Sequence, residues 1–170
     1  MLADDKLSIS DDLLSLVGKE LPSLTKSTKI DESLVADFTE AVRHPNARFE
    51  TEWEGQEVVK APEYKKGMIV SPSILWTRRV SYRGHWVKPL LPLVPSRGLD
   101  GGGEWHVFSR IRIGDIITAR SKLSDVSEHF SKSLGKMLVV VVETIYSNQE
   151  GQVIGKYRHK TLRYTLHIST

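Results

Sequence analysis

His44 follows an amphipathic segment and precedes Pro45, in the run His44-Pro45-Asn46-Ala47-Arg48-Phe49. An imidazole there reads either as a lone general base in a cleft or as a cation at the C-terminal end of a helix. Val70-Ser71-Pro72 is the second feature: serine before proline marks an N-cap and a first helical position. The free N–H groups of a helix start suit a carbonyl oxygen or a carboxylate, beside the plainer role of Ser71 as a cap alone. Cationic side chains gather at Lys65-Lys66, at Arg78-Arg79 with Arg83, and at Lys88. They suit the phosphates of a small ligand, and equally a solvated surface. Trp76, Trp86 and Trp105 offer large apolar faces for a core, an interface or a ligand pocket. His85, His106, His129, His159 and His167 show no metal-ligand spacing with carboxylates. The chain has no cysteine, which excludes disulfides, thiolate nucleophiles and cysteine metal sites.

The elements that must position these groups follow from periodicity and punctuation. Residues 1–30 read as an arm. In it Ser10 caps a short helix with Asp11 and Asp12 in its first turn, Leu13, Leu14, Leu16, Val17 and Leu21 on one side, and Pro22 at its end. Residues 31–43 are a clear amphipathic helix, capped by Asp31 and striped by Leu34, Val35, Phe38, Ala41 and Val42. Residues 46–67 read as a loop with room for one short helix. From Ser71 a second buried helix is predicted to run to about Tyr82, carrying Ile74, Leu75, Trp76 and Val80 as well as Arg78 and Arg79.

Residues 85–103, with Pro89, Pro92, Pro95, Gly98, Gly101, Gly102 and Gly103, are expected to form no long regular element. The rest reads as strands: 104–113, 116–126, 137–146 and 153–168. A loop at His129 and a hairpin at Asn148-Gln149-Glu150-Gly151 connect them. The run Met137 through Val142 is apolar throughout, so its strand should be covered on both faces. On the last strand Leu162, Tyr164, Leu166 and Ile168 share one face; His159, Thr161, Arg163 and Thr165 share the other. An antiparallel sheet wrapped around a central helix, the α+β hot-dog arrangement, satisfies these demands. Cystatin-like cones and other α+β sandwiches compete with it.

The chain has 170 residues, 39% hydrophobic and 26% charged, with a net charge of +3. That length suits one domain rather than two. The balance does not call for nucleic acid. No apolar run reaches the ~18 residues that span a bilayer, and the first residues lack the pattern of a secretory signal. A cytoplasmic protein without a membrane partner is the expectation.

At Gly103-Glu104-Trp105-His106-Val107-Phe108-Ser109-Arg110-Ile111-Arg112-Ile113-Gly114-Asp115 the sequence resembles the strand end of MaoC-like dehydratases. The likeness continues through 116–126 and 137–151, with Glu143-Thr144, Tyr146, Asn148-Gln149 and Gly151. It also includes Leu16-Val17-Gly18-Lys19-Glu20-Leu21 before a strand and the helix of Phe38. It covers about residues 14–166 and is similar to the N-terminal-type domain of acyl dehydratases related to fatty acid synthase. The resemblance implies a hot-dog domain at 31–170 behind the arm. It also implies chemistry between (3R)-hydroxyacyl and trans-2-enoyl thioesters of coenzyme A or an acyl carrier protein. The phosphopantetheine is then part of the substrate, and no separate cofactor is called for.

The family's catalytic loop reads Asp-x-Asn-Pro-x-His, with a backbone N–H at the central helix start polarising the thioester carbonyl. Laid on this chain, the Asp position holds His44 and the His position holds Phe49; Asn46 alone is retained. Glu50 and Glu52 have no histidine following in the loop. Phenylalanine moves no proton, and loss of acid/base help costs about 10²–10⁴ in rate. The resemblance therefore implies the subunit that shapes the acyl pocket, paired with a second hot-dog chain that carries the Asp/His dyad. Ser71, Trp76, Trp86, Arg78, Arg79, Lys65 and Lys66 are its candidate substrate-binding residues, with His44 and Asn46 as weak catalytic ones. The alternative from another class is a non-catalytic acyl-thioester-binding homodimer. A thioesterase would need a carboxylate on the central helix, and residues 71–83 contain neither Asp nor Glu.

Overall fold

A computed structural model describes residues 8–42, 63–77, 80 and 88–165. Ser10 Oγ accepts from the Leu13 N–H at 3.2 Å and starts α1 (Asp11–Ser15), whose Leu13 is fully buried. The chain then forms the edge strand β1 (Lys26–Lys29). Asp31 Oδ1 accepts from the Leu34 N–H at 2.7 Å and opens α2 (Glu32–Val42), which buries Leu34 and Val35 as its stripe requires. A short strand β2 (Ile69–Val70) follows, then β3 (Arg97–Val107) and β4 (Ile111–Arg112). The long hairpins come last: β5 (Ile116–Ser131), β6 (Gly135–Ser147) and β7 (Val153–Tyr164).

The main sheet has the order β1-β5-β6-β7-β3 with every pairing antiparallel, and β2 pairs with β4 apart from it. The Val-rich strand β6 is therefore central, and Val140, Val141 and Val142 are all buried, though they alternate in direction. Leu21, Leu24 and Ile30 join the same core, so the described part of the N-terminal segment packs into the sheet. This is the curled antiparallel sheet of a hot-dog domain. The Asn148 to Gly151 connection forms as expected: Gly151 sits at φ 79° and its N–H reaches Asn148 O at 3.0 Å.

The central helix is a correction. Ser71 caps a 3₁₀ turn, Pro72–Trp76, and Thr77 returns to extended backbone at φ −72°, ψ 149°. The helix expected to reach Tyr82 thus stops at Trp76, and Arg78, Arg79 and Tyr82 lie outside the described residues. Ser71 and Ser73 offer local hydrogen bonds that compete with a helix, and Ile74, Trp76 and Thr77 lose side-chain freedom in one. Burial needs only the turn: Ile74 and Leu75 are fully buried beneath the sheet.

Two further expectations change. The glycine-rich stretch is not irregular, because β3 starts at Arg97 and takes up Gly101 and Gly102 at a register shift between Asp100 and Gly103. A bulge absorbs the extra residues while the ladder continues on either side. His129 lies on β5 opposite Met137, not in a loop, since the hairpin turns later, between Ser131 and Gly135. β7 ends at Tyr164 rather than Ile168, and Leu166 and Ile168 lie outside the described residues; as far as the strand runs the alternation holds and the polar face is the inner one, with Thr161 and Arg163 buried and Arg163 Nε donating to Pro95 O at 2.8 Å.

Gly103 shows what the inner face demands. A Cβ there would strike the phenol of Tyr157, a buried ring held 4.5 Å from Trp105 and 5.3 Å from Trp76. The ring has no room to retreat. Gly103→Ala is expected to lower stability by about 1–3 kcal/mol in urea unfolding, whereas an unchanged midpoint would mean that this aromatic packing is loose.

Candidate acyl-binding site

The Pro72–Trp76 turn, the C-terminal half of α2 and the end of β3 enclose a groove of about 490 Å³. Phe38 and Val42 come from α2, Pro72, Ser73, Trp76 and Thr77 from the turn, and Trp105 and Val107 from β3. Amphipathic spacing puts Phe38 and Val42 on one face of α2, and the 3₁₀ turn places Trp76 against the inner face of β3. Trp76 and Trp105 lie 5.6 Å apart between ring centroids, and Trp105 stacks on Tyr146 at 5.3 Å and on Tyr157 at 4.5 Å. A second groove of about 450 Å³ shares Phe38 and Pro72 with the first and adds Tyr64, Met68 and Ser71 among its walls. No Asp, Glu, His, Lys or Arg lines either groove among the described residues.

Among the residues that line the first groove, the Thr77 hydroxyl and the Trp105 indole N–H are buried without a hydrogen-bond partner among the described residues. Ser121 and Thr144 hydroxyls share a buried bond of 2.8 Å, and Thr161 donates to Leu99 O at 3.1 Å. A buried polar group without a partner costs about 1–3 kcal/mol.

The candidate residues divide. Ser71 caps the turn and lines the second groove, and Trp76 lines the first. The donors at the turn's start are already engaged. Pro72 has no N–H, the Ser73 N–H faces Ser71 Oγ at 3.4 Å, and the Ile74 N–H donates to Ser71 O at 3.1 Å. Lys65 is exposed and pairs with Glu63 at 2.9 Å, while Lys66 lies along Gly114. His44, Asn46, Arg78, Arg79 and Trp86 fall outside the described residues. Phe38, Val42, Thr77 and Val107 were not singled out for the site by sequence. Phe38 and Val42 had been read simply as core stripe, and nothing local marks Thr77 or Val107.

One acid–imidazole pair also escaped the sequence. His159 Nε2 lies 3.1 Å from Asp100 Oδ1, joining β7 to β3 across 59 positions of chain. Its side chain is 11% exposed and that of Asp100 79%. Burial pulls the imidazole below its ordinary value of 6.5, against the opposing pull of Asp100. Neither residue lines either of these two grooves; Tyr157 contacts both His159 and Trp76, at 5.9 and 5.3 Å. On the outer face Glu143 is held below its ordinary range. Burial raises it, and ion pairs to Lys122 at 3.1 Å and Lys156 at 3.4 Å outweigh that. No cluster of metal-ligating side chains occurs, and no helix is long and apolar enough to cross a membrane, among the described residues.

The chain belongs to the FAS1-like dehydratase domain region family, whose model matches residues 15–156. No curated protein matches it. Among solved structures it is similar to the (3R)-hydroxyacyl-ACP dehydratase complex HadBC of Mycobacterium tuberculosis. That match has 13% identity over 91% of this chain and 99% of the other, at a TM-score of 0.56. It is also similar to the ChsH1-ChsH2 complex of the same organism, at 11% identity, 86% of each chain and a TM-score of 0.60. The (R)-hydratase of A. caviae involved in PHA biosynthesis matches at 16% identity over 85% and 94% of the two chains, with a TM-score of 0.54. At these identities the likeness is one of fold.

His159 gives stability a pH dependence of known sign. Its folded value lies below 6.5, so the unfolded chain takes up the proton first as pH falls. The contribution is full above that value and is lost as pH drops through the folded one. Urea midpoints are therefore expected to fall between pH 7.5 and 5.5, and His159→Gln to flatten the slope. Equal slopes in the two proteins would remove His159 from the account.

Proposed function

We propose that this chain is a subunit of a 3-hydroxyacyl-thioester dehydratase, or equally of an enoyl-thioester hydratase, and that it shapes the acyl pocket for a second hot-dog chain. The observation that carries the reading is the apolar groove between α2 and the turn, with no ionisable side chain among its described walls. Acid/base chemistry at a thioester needs a proton-moving pair within reach of the substrate. The loop His44 through Phe49 departs from Asp-x-Asn-Pro-x-His at both of those positions, leaving Asn46 as its retained polar group and His44 as a lone imidazole. Family membership supports the reaction class. Two of the similar structures are named as complexes, which supports pairing.

The sheet offers a place for such a partner. β3 is an edge strand of 11 residues, exposed along nearly its whole length, with one ladder taken by β7. An open edge of that length invites a further strand. Coenzyme A or an acyl-carrier phosphopantetheine enters as part of the substrate. Lys65, Lys66, Arg78 and Arg79 are the cations proposed to meet its phosphates, and Ser71, Trp76 and Trp86 the residues proposed to flank its acyl part.

Co-expression with a hot-dog chain bearing an intact Asp-x-Asn-Pro-x-His loop is expected to give a heteromer that hydrates crotonyl-CoA and longer enoyl-CoAs. Replacing the partner's motif histidine should cost about 10²–10⁴ in kcat, while His44→Ala in this chain should change kcat less than about tenfold. A homodimer that binds acyl-CoA but forms no active pair would favour the binding protein instead.

A further inference from the structure

The two grooves beside α2 share two walls. The second, of about 450 Å³, takes Val35, Phe38 and Thr39 from α2, and Ile69, Ser71 and Pro72 from the segment across it. The first, of about 490 Å³, takes Phe38 and Val42 from α2, and Pro72, Trp76 and Thr77 from that same segment. Chain order is thus the same on both sides. Earlier residues wall the second groove, later ones wall the first, and Phe38 and Pro72 belong to both. Two lengths of a single cleft have this order, with Phe38 and Pro72 at their junction. From Val35 to Val42 the helix rises about 10 Å.

The rims of both grooves are apolar and open to water. Met68 and Ile69 beside the second are 42% and 51% exposed, and Val42 and Val107 beside the first are each 48% exposed. Apolar surface left in solvent around a concavity marks a binding site. Pro72 is a fixed ring, whereas the half-buried Phe38 turns about two side-chain torsions. Phe38 is the movable half of the junction.

We propose that the two grooves form one channel for a long acyl chain, and that Phe38 at its middle sets how far the chain extends. The ligand class is then a long-chain acyl thioester, whose hydrocarbon passes Phe38 and fills both grooves. A short chain leaves one of them to water. Each methylene moved from water to an apolar wall adds about three- to fourfold in affinity. The inference rests on the acyl-groove reading above and adds to it the length of chain that this subunit accepts.

The test titrates the full chain with hexanoyl-CoA and dodecanoyl-CoA by calorimetry. Six further methylenes are expected to make dodecanoyl-CoA bind about 100-fold tighter or more. Thr39→Phe adds bulk to the second groove and Val42→Trp to the first. Each is expected to weaken dodecanoyl-CoA about tenfold, and only one of them hexanoyl-CoA; which one does so identifies the groove nearer the thioester. Phe38→Trp, with a larger ring at the junction, is expected to lower the dodecanoyl-to-hexanoyl affinity ratio about tenfold. All three positions are exposed or half-buried, and hexanoyl-CoA binding by the variant that spares it shows that the fold persists. Three results would overturn the channel and leave the acyl groove standing: dodecanoyl-CoA binding no tighter than hexanoyl-CoA, its weakening by one plug alone, or a ratio unchanged in Phe38→Trp. No binding of either ligand would overturn both readings.

Discussion

A central strand that is apolar on both faces must be covered on both, and this constraint orders the rest of the molecule. β6 presents Val140 and Val142 inward and Val141 outward, all of them buried. Inward cover comes from α1, α2 and a 3₁₀ turn of five residues, with Leu13, Leu34, Ile74 and Leu75 beneath the sheet. A turn covers less area than a helix. The remaining inner surface is taken by large rings, with Trp76, Trp105, Tyr146 and Tyr157 packed at centroid separations between 4.5 and 5.6 Å. Aromatic residues bury the most surface per position, so the cluster compensates for the short turn. The groove is what this arrangement leaves between the rings and α2.

Much of the architecture was legible in the chain. The α2 stripe from Leu34 to Val42, its Asp31 cap, the Ser10 cap of α1, the long strands and the glycine hairpin at Gly151 each obey a local rule. The misreadings have different causes. Ser71-Pro72 signals a helix start faithfully, but nothing in a start signal sets the length, and the residues from Ser73 to Thr77 favour an early stop. Gly98 to Gly103 reads as irregular until the partner strand is known. The glycines are there because Arg163 and Tyr157 of β7 lie over Gly98 and Gly103, a demand set by residues about 60 positions away.

The site was legible in outline only. Trp76 and Trp105 could be named as walls, yet their juxtaposition depends on the turn ending at Trp76. Phe38 and Val42 looked like ordinary core because a groove wall and a core stripe have the same spacing. Asp100 and His159 meet through strand pairing with no signal in either neighbourhood. The resemblance drawn from sequence implies a substitution: His44 and Phe49 fall where the loop of MaoC-like dehydratases carries its acid and its imidazole. That reading needs no coordinates, since a phenyl ring transfers no proton in any conformation.

The account therefore turns on whether this polypeptide has proton-transfer groups of its own at the acyl group. The direct measurement is the hydration of crotonyl-CoA by the purified chain without any partner. The expected result is a rate indistinguishable from that of buffer. Saturable turnover by the chain alone, abolished by His44→Ala or by His159→Gln, would contradict it.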